Sequence, residues 1–176
     1  MTLSIDIGKT NLGFSIWKET ITTFGLYNIT KEVTDRFLPN TNENRSEILC
    51  YWLNDICEKN EIHTIVVEKQ VFSNPSALCL QFVICGFCYG KHIKYIPFDA
   101  RKKFVITEEP YDSKKKEHKK LVVKYAINIL EKYHSDLLSR FKLFGKKDDI
   151  SDSICMLFIT ASGLNSEELR KIMLGL

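Results

Sequence analysis

The sequence lacks any stretch that would cross a membrane as a helix, since a span needs about 20 consecutive apolar residues. Its longest apolar run, residues 77–89, is interrupted by a glutamine and a glycine. A signal peptide is missing as well, because Ser4, Asp6 and Lys9 break the apolar pattern at the N-terminus. We therefore expect an intracellular, cytoplasmic protein that is not secreted and has no membrane partner.

The charge balance is too even to identify a partner, because the formal net charge is only +3. Hydrophobic residues make up 44% of the 176 residues and charged residues 27%, which excludes a wholly disordered chain. Internal repeats and low-complexity segments are absent too. We expect one domain, residues 1–176, with enough apolar material for a proper core.

A zinc site is not indicated, although Cys85 and Cys88 form a CxxC pair. No second pair of Cys or His residues follows at a spacing that would complete such a site. All six cysteines lie within or beside apolar stretches, which is typical of buried thiols. We expect them to be reduced, as in an intracellular protein.

The hydrophobic patterns predict a mixed α/β domain. Alternating or β-branched runs predict five strands, near residues 3–7, 14–17, 21–26, 64–68 and 93–98. The first three should form an antiparallel meander. Helical periodicity predicts five helices, near residues 46–56, 75–89, 121–130, 149–160 and 166–173. Residues 101–120 are predicted to begin as a charged loop.

Four acids occupy positions where a carboxylate is costly unless a cation pairs with it, namely Asp6, Glu68, Asp149 and Asp152. Asp6 lies between two isoleucines of a strand, and Glu68 ends an apolar strand. The last two, spaced i and i+3, share one face of a helix. Mg²⁺ prefers such oxygen ligands. Taken alone, Asp149 also fits a helix cap and Glu68 a solvated strand-end acid.

Residues 91–120 hold ten Lys or Arg residues against five acids, with aromatic residues between them. Clustered cations of this kind bind phosphates, and Arg101, Lys102 and Lys103 are our candidates for contacts to a nucleic-acid backbone. On composition alone, a solvated charged loop explains the same tract.

Three motifs resemble the RuvC family of Holliday-junction resolvases, particularly its poxvirus-type branch, within the ribonuclease-H-like superfamily. Residues 4–9 (SIDIGK) with 13–15 (GFS) look like its first acidic strand and the returning strand. Residues 66–72 (VVEKQVF) look like the second acidic strand, and residues 149–153 (DISDS) like the start of the closing helix. The resemblance covers roughly residues 3–160.

The resemblance implies a ribonuclease-H-like mixed five-stranded sheet flanked by helices, and a homodimer acting on four-way and other branched DNA. Paired symmetric nicks would leave 5′-phosphate and 3′-hydroxyl ends. Two Mg²⁺ ions, or Mn²⁺ in their place, would be the cofactors, with no small-molecule cofactor. The four acids would be both catalytic residues and metal ligands. A poxviral protein would act in the host cytoplasm.

The family also carries a catalytic basic residue before the last acidic motif, and Lys119 is our candidate. Lys120 matches that position nearly as well, and residues 114–116 are close; we assign Lys115, Lys116 and Lys120 to DNA binding. Phe72 matches an aromatic residue that stacks at the junction centre, although a core phenylalanine fits too. The apolar helix of residues 77–89 is the candidate dimer surface.

Three other functions stay open. Residues 6–13 also look like the phosphate-binding hairpin of the actin–sugar kinase fold, which would bind ATP, although a second phosphate loop is missing. A non-enzymatic DNA-binding module is another reading, but it would not need all four acids. Within the nuclease class, a flap nuclease or an RNA–DNA hybrid nuclease remains an alternative.

Overall fold

A computed structural model of the chain describes residues 1–8, 10–108, 116–145 and 147–176, and all side chains among them except that of Lys116. Five strands alternate with helices along these residues. They are, in chain order, β1 (Thr2–Ile7), β2 (Asn11–Trp17), β3 (Ile21–Asn28), α1 (Ile29–Asp35), α2 (Asn42–Lys59), β4 (Thr64–Glu68), α3 (Pro75–Gly90), β5 (Lys94–Phe98), α4 (Lys102–Thr107), α5 (Lys116–Tyr133), α6 (Ser135–Lys142), α7 (Asp148–Ala161) and α8 (Ser166–Leu174).

The five strands form one mixed sheet in the order β3-β2-β1-β4-β5. β1, β2 and β3 pair antiparallel, whereas β4 and β5 join the other side of β1 as parallel strands. The predicted mixed α/β sheet with an antiparallel meander is therefore confirmed. All five predicted strands and all five predicted helices are present, with ends that differ by a few residues.

Each face of the sheet carries its own hydrophobic core. One core joins Leu3, Ile5 and Ile7 of β1 to α1, α2 and α3. The other face carries Ser4 and Asp6, since successive side chains of a strand point to opposite faces. Helix α7 packs on that face against β1 and β2, and α5 and α8 pack behind it. Asp6 thus points toward a helix rather than toward water.

Three short helices were not predicted from the sequence: α1, α4 and α6. The most consequential is α4, because residues 101–120 were expected to begin as a charged loop, and that expectation was wrong for Lys102–Thr107. Lys103, Phe104 and Thr107 of this helix are buried. Six residues are too few to show a helical period, so only the charged composition of the segment was left to judge by, and it indicated a loop.

The six cysteines are free thiols in helices α2, α3 and α7, as predicted. The prediction that they are buried is correct for Cys57, Cys88 and Cys155 and wrong for Cys50, Cys79 and Cys85, which are only partly buried. Among the described residues, no helix has both the length and the apolar character to cross a membrane.

Candidate active site

The four predicted acids come from three elements that meet at one edge of the sheet. β1 and β4 run parallel with Ile5 beside Val67, so the next residues lie side by side: Asp6, one residue before the end of β1, and Glu68, the last residue of β4. Helix α7 packs on both strands and brings in Asp149 and Asp152. The fold therefore joins carboxylates that lie up to 146 positions apart in the sequence.

Gly13 sets the distance between α7 and the sheet. A Cβ atom on this glycine, which pairs with Asp6 across β1 and β2, would lie 2.1 Å from the backbone oxygen of Asp149. A Cβ atom on Gly8 would lie 2.7 Å from the backbone oxygen of Asn11, and 3.1 Å from Oδ2 of the same aspartate. No other residue type fits at Gly13 without moving the helix, so the sequence makes the close approach of Asp149 possible.

A buried lysine contacts two of the acids. The Nζ of Lys103 donates a hydrogen bond to Oε2 of Glu68 at 3.3 Å and a second, short one to Oδ1 of Asp152. Its side chain is only 2% exposed. This corrects the sequence-based assignment of Lys103 as a contact to the DNA backbone, because helix α4 turns its ammonium group inward.

The electrostatics of the cluster follow from burial and from like charges. Burial raises the pKa of Asp6 well above its usual range, and repulsion by Glu68 and Asp152 raises it further. The pKa of Glu68 is also raised, mainly by burial, with Lys103 opposing the shift. Burial acts against the charge of Lys103, but the carboxylates of Asp152 and Glu68 outweigh it and raise the pKa of the amine. The acids therefore need a cation.

The donor set fits a hard divalent cation in its chemistry, since it consists of carboxylate oxygens. The charges of the other three acids and of Lys103 all shift the pKa of Asp6, so the five groups lie close together. Within the described residues, however, no three His, Cys, Asp or Glu side chains already converge as a metal-binding group. A metal would require these carboxylates to reorient, and two of them are paired with Lys103 instead.

A small pocket of about 130 Å³ opens beside the acids and is lined by Glu68, Asp152 and six other residues: Ala100, Lys103, Phe104, His118, Lys119 and Val122. Sequence reasoning had not singled out His118, whose ring packs on that of Phe104 at a centroid distance of 4.6 Å. Through this pocket, Glu68 and Asp152 are open to a ligand.

Lys119 lies at the mouth of this pocket, whereas its neighbour Lys120 does not line it. The Nζ of Lys119 donates a hydrogen bond to Oδ2 of Asp148 at 2.6 Å, and this contact raises the pKa of the amine. The side chain is 69% exposed, so it is accessible to a ligand. The position favours Lys119 over Lys120 for the role predicted next to the acids.

The other predicted DNA-binding residues lie around the acidic edge or outside the described part. Arg101 is bound to Asp99 through Nη2–Oδ2 at 2.5 Å, and Lys102 is exposed, with its Nζ 5.7 Å from the centre of the Phe98 ring. Lys115 and the side chain of Lys116 are outside the described residues.

Phe72 is 90% exposed in the loop that follows Glu68, so a role in the core is excluded. The side-chain oxygen of Gln81 in α3 accepts a hydrogen bond from the backbone N–H of Gln70 at 2.6 Å and so ties this loop to a rigid element. An exposed aromatic ring on an anchored loop is suited to stacking on a nucleic-acid base.

The sequence of residues 1–161 matches the family model described as Poxvirus A22 protein. The chain belongs to that family. The A22-family membership confirms the poxvirus-type resemblance of the three acidic motifs. No curated protein sequence matches the chain.

Solved structures similar to this A22-family chain include Holliday-junction resolvases. The fowlpox virus resolvase, in a complex with substrate Holliday junction DNA, is 17% identical with a TM-score of 0.65, covering 93% of this chain and 100% of that one. The yeast mitochondrial Holliday junction resolvase Ydc2 is 14% identical with a TM-score of 0.64, covering 99% and 82%. Thermus thermophilus RuvC is 10% identical with a TM-score of 0.57, covering 88% and 89%. At these identities the similarity establishes the ribonuclease-H-like fold.

The outer face of α3 presents apolar side chains to solvent. Phe82 is 63% and Tyr89 87% exposed, while Leu78 and Cys85 are half-buried. A shallow apolar groove runs along the same helix, lined by Pro75, Leu78, Cys79, Phe82 and Val83. Within the helix predicted to form a dimer surface, Leu78, Phe82, Cys85 and Tyr89 are therefore at least partly exposed and available for one.

Proposed function

We propose that this A22-family chain is a single nuclease domain, residues 1–176, which cuts branched DNA and above all four-way junctions in a reaction that depends on Mg²⁺. The observation that carries the proposal is the cluster of Asp6, Glu68, Asp149 and Asp152, of which the first and third are buried and the other two line one open pocket. Family membership and the similarity to a junction-bound resolvase support the choice of substrate. A kinase-like ATP site receives no such support.

Two divalent cations bound to the four carboxylates would activate a water molecule and stabilise the leaving oxygen. Mn²⁺ has the same preference for oxygen ligands and is expected to substitute. The chain's own residues would favour the binding of a phosphate group at this site. The carboxylates of Asp6 and Asp149 are buried, those of Glu68 and Asp152 line the pocket, and Lys119 would place an accessible cation beside them, where charge develops on the phosphate. Cleavage would leave a 5′-phosphate and a 3′-hydroxyl.

A homodimer suits the substrate, because a four-way junction has two-fold symmetry and a two-fold dimer presents one site to each of two strands. The exposed apolar face of α3 is the proposed interface. Sedimentation at micromolar concentration should give a dimer in the wild-type protein and a monomer in Phe82→Asp. A wild-type monomer both with and without junction DNA would exclude paired nicking by a stable dimer.

The proposed function is tested by cleavage of four substrates in Mg²⁺: a four-way junction, a flap, an RNA–DNA hybrid and a plain duplex. The junction should be nicked fastest, at two symmetric positions. Asp149→Asn should lower that rate by at least about a hundredfold, because the variant keeps the shape and removes a metal-binding charge. Its junction affinity in Ca²⁺ should persist.

Asp55→Asn is the matched control, since Asp55 is an exposed acid of α2 that pairs only with Lys59 among the described contacts. It should cut at the wild-type rate. Wild-type cleavage by Asp149→Asn would remove that residue from the metal site. Preferential cleavage of the flap or of the hybrid would keep the nuclease and change its substrate.

A further inference from the structure

Lys103 has an unusual position for a lysine. Its ammonium group lies between Glu68 and Asp152, with a side chain only 2% exposed, while both carboxylates remain about a quarter exposed. Burying an amine is costly unless it is paired and hydrogen-bonded. The two acids supply that pairing, so the lysine and the acids stabilise each other's charges in the absence of any other cation.

Hydrogen bonds fix the backbone of this lysine, whereas the end of its side chain is held, among the described contacts, by the two carboxylates alone. The backbone oxygen of Lys103 accepts a hydrogen bond from Oγ1 of Thr107 at 3.0 Å, and that hydroxyl accepts one from the Tyr125 hydroxyl of α5 at 3.1 Å. The ammonium lies at the end of four methylene groups and is held by its ion pairs and hydrogen bonds with Glu68 and Asp152, so it can move once another cation takes these partners. The pocket that Lys103 lines gives the side chain space into which it can turn.

We propose that Lys103 is a built-in counter-ion of the acidic site, and that its ammonium must leave Glu68 and Asp152 before a divalent cation binds these carboxylates. The inference rests on the proposed metal-dependent function. The ammonium of Lys103 is paired with two of the four acids. It would repel a divalent cation at short range, so the ammonium and the metal ion compete for the same carboxylates. The lysine protects the metal-free protein from repulsion among its acids, at the expense of metal affinity.

The competition is measured by calorimetric titration of the metal-free protein with Mn²⁺, which needs no DNA and no turnover. Lys103→Met keeps the length of the side chain and removes the charge. Its Mn²⁺ affinity should rise by at least about tenfold, since electrostatic coupling at contact distance in a protein is worth several kcal/mol. Its melting temperature without metal should fall, because two partly buried acids lose their partner, and Mn²⁺ should raise it more than in the wild type.

Two variants serve as controls. Lys103→Arg keeps the charge and should bind Mn²⁺ no more tightly than the wild type. Lys102→Met removes the charge of the exposed neighbour on α4 and should leave Mn²⁺ affinity unchanged. A merely structural lysine would lower the stability of Lys103→Met and leave its Mn²⁺ affinity unchanged. Unchanged or weaker affinity in Lys103→Met overturns the proposal.

If Lys103→Met does not fold without metal, Lys103→Gln is titrated instead, and the same tightening is expected. Failure of both variants to fold even in excess Mn²⁺ also counts against the proposal. A different outcome would refute the proposed metal-dependent function rather than the role of Lys103. A wild-type protein and a Lys103→Met variant that both bind no Mn²⁺ would refute the metal site. Wild-type binding that Asp149→Asn abolishes, without tightening in Lys103→Met, would refute only the counter-ion.

Discussion

Substitution of Gly13 by alanine tests whether the distance between α7 and β2 sets the geometry of the acidic site. The new Cβ would start 2.1 Å from the oxygen and 2.3 Å from the carbonyl carbon of Asp149, and it would have to retreat by about 0.9 Å to reach the 3.0 Å that real Cβ contacts need. Both contacts are backbone atoms of a helix, so no side chain can rotate away. The helix that carries Asp149 and Asp152 must move.

The expected loss of stability is about 1–3 kcal/mol, the usual cost of overpacking. For a chain of this size, each kcal/mol lowers the melting temperature by about 2–4 °C, so thermal unfolding should show a fall of about 2–12 °C. Single-turnover nicking of a four-way junction should fall about a hundredfold, because misplacement of catalytic groups by roughly 1 Å has that effect.

Gly86→Ala is the matched control, since a Cβ on this glycine of α3 would meet nothing within 4 Å. This variant is the control for thermal unfolding, and it should be slightly more stable than the wild type, because alanine favours a helix over glycine by about 1 kcal/mol. A Gly13→Ala protein with wild-type stability and rate would refute the argument that this glycine positions the aspartates. A Gly13→Ala protein of wild-type stability that cuts slowly would mean that α7 moves without loss of packing and that the movement affects only the position of the aspartates.

Two further predictions concern Lys119 and His134. Lys119→Met should slow single-turnover nicking by about ten- to a thousandfold and change junction affinity by less than about tenfold; normal cutting, with slow cutting by Lys120→Met, would move the role to Lys120. His134 is buried and shares a 2.6 Å hydrogen bond with Thr20, and burial lowers its pKa below 6.5. As the pH falls, the unfolded chain therefore binds a proton at His134 before the folded protein does. The free energy of unfolding should decrease as the pH falls below about 6.5. Melting temperatures between pH 7.5 and 5 should fall more in the wild type than in His134→Gln, and parallel curves would contradict this.

Local patterns were enough to predict the order of the main elements. Residues 64–68 form a short β-branched run, which predicts a strand. Residues 121–130 have a helical period, which predicts a helix. The short helix α4 could not be found in this way. Its burial depends on α7 and α8, which are distant in the sequence.

Sequence motifs alone also singled out the four acids, because a carboxylate between core residues is costly wherever the chain folds. Whether the four meet, and what pairs with them, depends on distances between elements, which no local pattern contains. The sequence shows Lys103 as one of three consecutive basic residues, and only the packing of α4 distinguishes it from Lys102. The sequence by itself determined the strands, the main helices and the chemical character of the site. The tertiary structure decided which cation lies among the acids and how closely α7 approaches them, because charge pairing and backbone contact act through space.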